Sequence, residues 1–199
     1  MIPTELNRFY TRWLQKAEEY HSQNLQDCFD KFFTLYVAYN RLYFELAISY
    51  VKRKGEARNG EKAKYISDSK SAKDYIITFI GAGTLLRSIT SDALCVNALS
   101  SIINLLKQRV FAIKLDQFTR ERSVEADSKL IEKLESNSAY NKTYAILDII
   151  YSIRCNMFHG QKGYENVQTK ILVPVITLLE KVMKLLYDKM DREAEPNWW

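Results

Sequence analysis

Arg154, Asn156, His159 and Lys162 crowd into one stretch, Tyr151-Ser152-Ile153-Arg154-Cys155-Asn156-Met157-Phe158-His159-Gly160-Gln161-Lys162. Those residue types suit phosphodiester chemistry. A guanidinium grips two non-bridging phosphate oxygens and stabilises charge that grows in the transition state. An imidazole takes a proton from an RNA 2′-hydroxyl near neutral pH. His159 is one of 2 histidines, and the other, His21, is remote in sequence. His159 follows Arg154 by five positions, about 140° around an ideal helix, so on a continuous helix the side chains diverge. Gly160 changes that geometry. As a left-handed cap residue it ends the helix and lets the imidazole swing back towards the arginine. The same arginine and histidine also serve as plain caps for the last carbonyls of a helix. Spacing alone leaves both readings open.

Other chemistries lack their residues. There is no carboxylate cluster for a two-metal site and no second histidine near His159 for zinc. Cys28, Cys95 and Cys155 are scattered, without CxxC spacing, as expected of reduced thiols rather than a disulfide framework. Neither a GxSxG elbow nor a phosphate-loop lysine motif occurs, and Gly81-Ala82-Gly83 is too short a glycine pattern to cradle phosphate. Close approach of helices accounts for it better. No metal and no cofactor are expected. The N-terminus lacks a charged-then-apolar leader pattern, and apolar runs such as Ile171 to Leu179 are too short to span a bilayer. The expectation is a cytoplasmic protein without a membrane partner.

Helices must position these residues. Few prolines and glycines with abundant Leu, Lys, Glu and Ala favour an all-α fold, and 199 residues suit one domain over 1–199. Helical spacing predicts a first helix from Thr4, as its cap, to His21, with Leu6, Phe9, Trp13, Ala17 and Tyr20 inward. Asn24 to about Lys54 carries an aromatic stripe, Phe29, Phe32, Tyr36, Tyr39, Tyr43 and Tyr50, read as core. Asn40 falls about 40° from Tyr36 on the ideal wheel, inside that stripe. A polar group there needs a hydrogen-bond partner or a site to face, so Asn40 is a candidate for the site. Ala72 to Ile89 is helical with a glycine interruption. Thr90 or Ser91 caps a helix over 92–108 with Leu94, Ala98, Ile102 and Leu105 as its stripe. Residues 109–122 alternate like a strand but lack a partner, and are read as a helix extension or an irregular connection. Ser123 caps a short helix to Glu135, and Ser138 caps a long one to Phe158. The last helix ends near Met190, with Pro174 either kinking it or marking a late start. The sum is a bundle of about five to seven helices.

Charge is uneven. The segment 52–73 holds 8 Lys or Arg against Glu56, Glu61 and Asp68, which is 8 − 3 = +5 and equals the net charge of the whole chain. It reads as a long basic loop, either solvated or meeting nucleic-acid phosphate.

Ile153-Arg154-Cys155-Asn156-Met157-Phe158-His159-Gly160 resembles the Arg-x4–6-His signature of HEPN domains, the helical "higher eukaryotes and prokaryotes nucleotide-binding" group. The aromatic helix around Phe32 to Tyr50 is similar to that family's early core helix. The resemblance implies a helical bundle that dimerises and cleaves RNA without metal, at a composite site fed by Arg and His of both subunits. Arg154 would then hold phosphate and His159 would be the general base or acid. Asn156 would position substrate or motif, with Lys162 and Asn40 as supporting residues from the local reading. It further implies a prokaryotic toxin or antiviral defence ribonuclease, a hydrolase with a possible antitoxin or regulatory partner. Gln161 stands where one subgroup has a modified tyrosine, and Cys155 where many members have Asn. The alternative is a non-catalytic HEPN-like module that binds RNA, a nucleotide or a protein partner.

Overall fold

A computed structural model describes residues 2–53, 67–116, 119, 121–158 and 168–193. These residues are all-α, as expected. The elements are α1 (Thr4–Ala17), α2 (Leu25–Arg53), α3 (Asp68–Lys70), a π-helical turn (Ser71–Tyr75), α4 (Ile76–Ile80), α5 (Ala82–Thr90), α6 (Ala93–Lys107), α7 (Val124–Glu135), α8 (Ala139–Phe158) and α9 (Thr169–Glu193). Residues 68–80 run on without a break, so the described bundle has eight helices, one more than the upper expectation. Among the described residues no single helix is long and apolar enough to cross a membrane.

The core forms where the apolar stripes of α2, α8 and α9 face inward. In α2, Phe32, Tyr36, Tyr39 and Tyr43 are buried, and Tyr39 meets Tyr36 and Tyr43 edge-on at 5.5 and 5.1 Å, the favoured geometry for opposed ring quadrupoles. The buried sector is centred on Tyr39, Tyr43 and Leu46, which puts Tyr36 near its margin. Asn40, a further 40° or so round the wheel, therefore leaves the core and is exposed. The expected place of Asn40 inside the stripe is corrected. Along α8, residues 145–150 are all buried, as expected of a helix enclosed by neighbours rather than lying on the surface. It is packed by α5, α7, α9 and the π-turn.

Several predicted boundaries shift for identifiable reasons. Pro3, not Thr4, occupies the N-cap position of α1, and the helix stops at Ala17, before His21. Asp92, not Thr90 or Ser91, caps α6, accepting the N–H groups of Leu94 and Cys95, so the inward stripe moves to Cys95, Ala98, Ile102 and Leu106 while Leu94 is exposed. Gly81 separates α4 from α5 at φ +90°, a conformation that L side chains rarely adopt. A Cβ there would meet nothing closer than Thr84 Oγ1 at 3.8 Å, so backbone freedom, not close helix approach, explains this glycine. The described residues of 109–122 form an irregular connection with an isolated bridge between Leu115 and Arg122. The reading of 52–73 as one loop is corrected at both ends: 51–53 complete α2, and Asp68 to Lys73 are helical. Residues 54–66 and the tail 194–199 lie outside the described residues.

Candidate active site

The C-terminal half of α8 carries the site. Around an ideal helix, Arg154, Tyr151, Cys155, Asp148, Ser152 and Asn156 fill one half in that angular order, and other elements bring partners to each part. Arg154 lies between Ile150 and Tyr151 on the wheel, as the sequence predicts. Its side chain is 22% exposed. The guanidinium stacks on the Tyr36 ring at 5.6 Å, and Nη1 lies 3.7 Å from Asp68 Oδ2. Burial works against its charge, but the neighbouring Cys155, Tyr36 and Asp68 outweigh burial and raise its pKa.

Asp68 is the hub on this side. Tyr43 of α2 donates to its Oδ1 at 2.6 Å, and Tyr151 of α8 donates to its Oδ2 at 3.3 Å. Ser67 caps α3 through its side chain, accepting from the Lys70 N–H at 3.4 Å, and so sets the chain direction at Asp68. Burial drives the Tyr43 phenol well above its ordinary pKa, with Tyr36 and Asp68 adding to it. Burial likewise raises Tyr151, with Cys155 and Asp68 adding. Both phenols are therefore hydrogen-bond donors throughout the neutral range.

A second cluster adjoins the first. Lys73, on the π-turn, donates to Asp148 Oδ1 at 2.9 Å, and Lys114 pairs with Asp148 Oδ2 at 2.6 Å. Lys114 also donates to Ser152 Oγ at 2.8 Å. The Lys73 ammonium lies over the rings of Tyr144 and Tyr151, at 5.1 and 5.3 Å, so Tyr151 belongs to both clusters. Burial would raise the Asp148 carboxyl, but Lys114 and Lys73 outweigh it and hold it below its ordinary pKa. Burial lowers Lys73, and Asp148 more than restores it. The π-turn places Lys73 against α8, and its Ala72 carbonyl accepts the Tyr39 hydroxyl at 2.8 Å, which ties the turn to α2. Lys114 is aimed by a pinned loop: buried Asp127 of α7 accepts the N–H groups of Ile113 and Lys114 at 3.2 and 2.9 Å.

Arg154 is thus drawn into a polar cluster. Asn156 is buried, and its Nδ2 donates to the Ile113 carbonyl at 2.9 Å. It ties α8 to the Lys114 loop and lines a small crevice of about 30 Å³ with Phe29, Phe111, Met157 and Gln168. Asn40 is exposed on α2. His159, Gly160, Gln161 and Lys162 lie outside the described residues. Asp68, Tyr43, Tyr151, Lys73, Lys114 and Asp148 were not picked out as site residues from sequence. One signal was present: Asp148 interrupts Ile146-Leu147-Asp148-Ile149-Ile150, and a carboxylate amid such residues demands a cation. Among the described residues, no group of three or more His, Cys, Asp or Glu is placed to hold a metal ion.

Comparison of the chain with protein-family models, with curated proteins and with solved structures finds no match.

Proposed function

We propose that the chain is a metal-independent endoribonuclease of HEPN type, acting in the cytoplasm as a prokaryotic toxin or defence effector. The observation that carries this reading is the setting of Arg154. A partly buried guanidinium stands at the last turns of the enclosed helix α8, beside phenol donors and five residues before His159. Partial burial strengthens its attraction for an anion relative to a guanidinium in open water. In the proposed reaction Arg154 holds the scissile phosphate and His159 accepts the proton of the 2′-hydroxyl. The 2′-oxygen bonds to phosphorus, the bond from phosphorus to the 5′-oxygen breaks, and that oxygen takes a proton from a second imidazole. A homodimer supplies it as His159 of the partner subunit, because one histidine does not serve as base and acid in a single step. The products are a 2′,3′-cyclic phosphate and a 5′-hydroxyl. An antitoxin or regulatory protein is the proposed physiological partner.

The test is cleavage of a labelled structured RNA in EDTA by wild type, Arg154→Ala and His159→Ala. Wild type is expected to cleave, and each variant to lose roughly 10²-fold or more. Equal cleavage by wild type and His159→Ala would overturn the assignment.

One observation favours a second reading, a non-catalytic module that binds RNA, a nucleotide or a protein partner. A carboxylate, Asp68, already lies beside Arg154. On that reading the wild type binds phosphate ligands without turnover.

A further inference from the structure

Three donors converge on the Asp68 carboxylate, one on Oδ1 and two on Oδ2. Tyr43 is at 2.6 Å, Tyr151 at 3.3 Å and the Arg154 guanidinium at 3.7 Å. The donors are held by the bundle. Tyr43 is fully buried on α2, Tyr151 and Arg154 project from α8, and Tyr36 supports the guanidinium from below. The acceptor is held less firmly. Asp68 is the first residue of the continuous run 68–80, in its terminal turn, with its side chain 40% exposed, against 22% for Arg154. The contact between the two charges is also loose, because a forked guanidinium–carboxylate pair closes to about 2.7–2.9 Å. At 3.7 Å, Asp68 neutralises Arg154 without making that fork.

A phosphodiester offers what this seat accepts: one negative charge shared by two unesterified oxygens. Charge balance points the same way. Arg154, Lys73 and Lys114 against Asp68 and Asp148 leave the joined clusters at 3 − 2 = +1. Exchanging one monoanion for another keeps that balance. Turning Asp68 out with nothing in its place would leave two uncompensated positive charges, which draws an anion in.

We propose that Asp68 is an internal stand-in for the substrate's phosphodiester, and that RNA phosphate binds by displacing it, taking Tyr43 and Tyr151 as ligands beside Arg154. The inference rests on the reading of Arg154 as a phosphate-binding residue and adds two ligands and a competitor to it. Asp68 then sets a threshold for binding. It rejects weakly held anions and yields to a strand gripped at further points.

The experiment measures affinity for a 2′-O-methyl uridine tetranucleotide, which lacks the attacking hydroxyl and reports binding alone. Wild type is compared with Asp68→Asn, Tyr151→Phe and Arg154→Ala, each checked for an intact helical spectrum and melting transition. Asp68→Asn is expected to bind about tenfold tighter, since a competing charge of ordinary strength is removed, and Tyr151→Phe several-fold weaker. Should Asp68→Asn not fold, Tyr151→Phe decides alone, because Tyr151 is half-buried and keeps its ring. Unchanged binding in Tyr151→Phe, or equal or weaker binding in folded Asp68→Asn, would overturn the inference. If either occurs while Arg154→Ala still abolishes binding, the phosphate reading of Arg154 survives. If Arg154→Ala binds as well as wild type, that reading fails too.

Discussion

Asp148→Ala is the most informative change to stability. It removes the carboxylate shared by Lys73 and Lys114 and strands an ammonium whose side chain is only 9% exposed. Breaking a buried pair from one side costs about 3–5 kcal/mol, because the remaining charge has lost its water and its partner. Two features favour the lower end. Lys114, 25% exposed, can turn to solvent, and the Tyr144 and Tyr151 rings still face Lys73. The expected loss is therefore ~3 kcal/mol, about 6–12 °C in Tm for a chain of this size. Lys73→Met removes the buried charge itself and leaves Asp148 paired with Lys114, so it should cost about 1 kcal/mol or less. Urea unfolding of both variants checks this asymmetry. The carboxyl's folded pKa is depressed below its ordinary value of 3.8. Its contribution is therefore complete above that pH and is lost as pH falls through the lower folded value. The gap between wild type and Asp148→Ala should accordingly be constant at neutral pH and close only below about 3.8. A loss under about 1 kcal/mol for Asp148→Ala, or an equal loss for Lys73→Met, would refute the reasoning.

Other expectations are simpler. Gly81→Ala should destabilise by about 1–2 kcal/mol because its φ is positive, whereas Gly83→Ala, inside α5 with Arg87 Nη1 at 3.5 Å, should be neutral or gain up to ~1 kcal/mol; paired thermal melts compare them. Asn156→Ala leaves the Ile113 carbonyl without its side-chain donor and should cost about 1–2 kcal/mol. Activity assayed well below the shifted melting point should survive, and loss of cleavage in a stably folded variant would show that Asn156 touches substrate. Arg154→Lys keeps the charge but not the planar fork, and should fail to restore the cleavage lost in Arg154→Ala.

What was legible in the sequence was local. Helix α2 follows from the stepping of its aromatics, α8 from Ser138 and the helical spacing of its apolar residues, and the break at 81 from a glycine. Arg154 was visible because a guanidinium five positions before a histidine and a helix-ending glycine suits phosphodiester chemistry. The partners were not visible, because Lys73 and Asp148 are 75 residues apart, and Asp68 and Tyr151 83. Lys73 in particular looks like the end of a basic run, and only the packing of the π-turn against α8 turns it inward. Asn40 was misplaced because the centre of the α2 stripe depends on which helices cover it, and Tyr36 is near the margin of that cover.

The π-turn also sets a phase. Five residues, Ser71–Tyr75, follow the wider π spacing between two α segments, and such a turn is an α-helix with one residue to spare. Upstream, Asp68 faces Arg154; downstream, Ile76, Ile77, Phe79 and Ile80 face the core. Deleting Ser71 or Ala72 would let the ladder close as ordinary α-helix and rotate Asp68 against the downstream residues by about 100°. The apolar residues, anchored by burial, would hold their places, and Asp68 would swing away from the guanidinium. The spacing of the site is thus recorded as a count of residues in the chain, so that a single-codon deletion, rather than any exchange of side chain, is the change that would uncouple Asp68 from Arg154 while leaving every charged group intact.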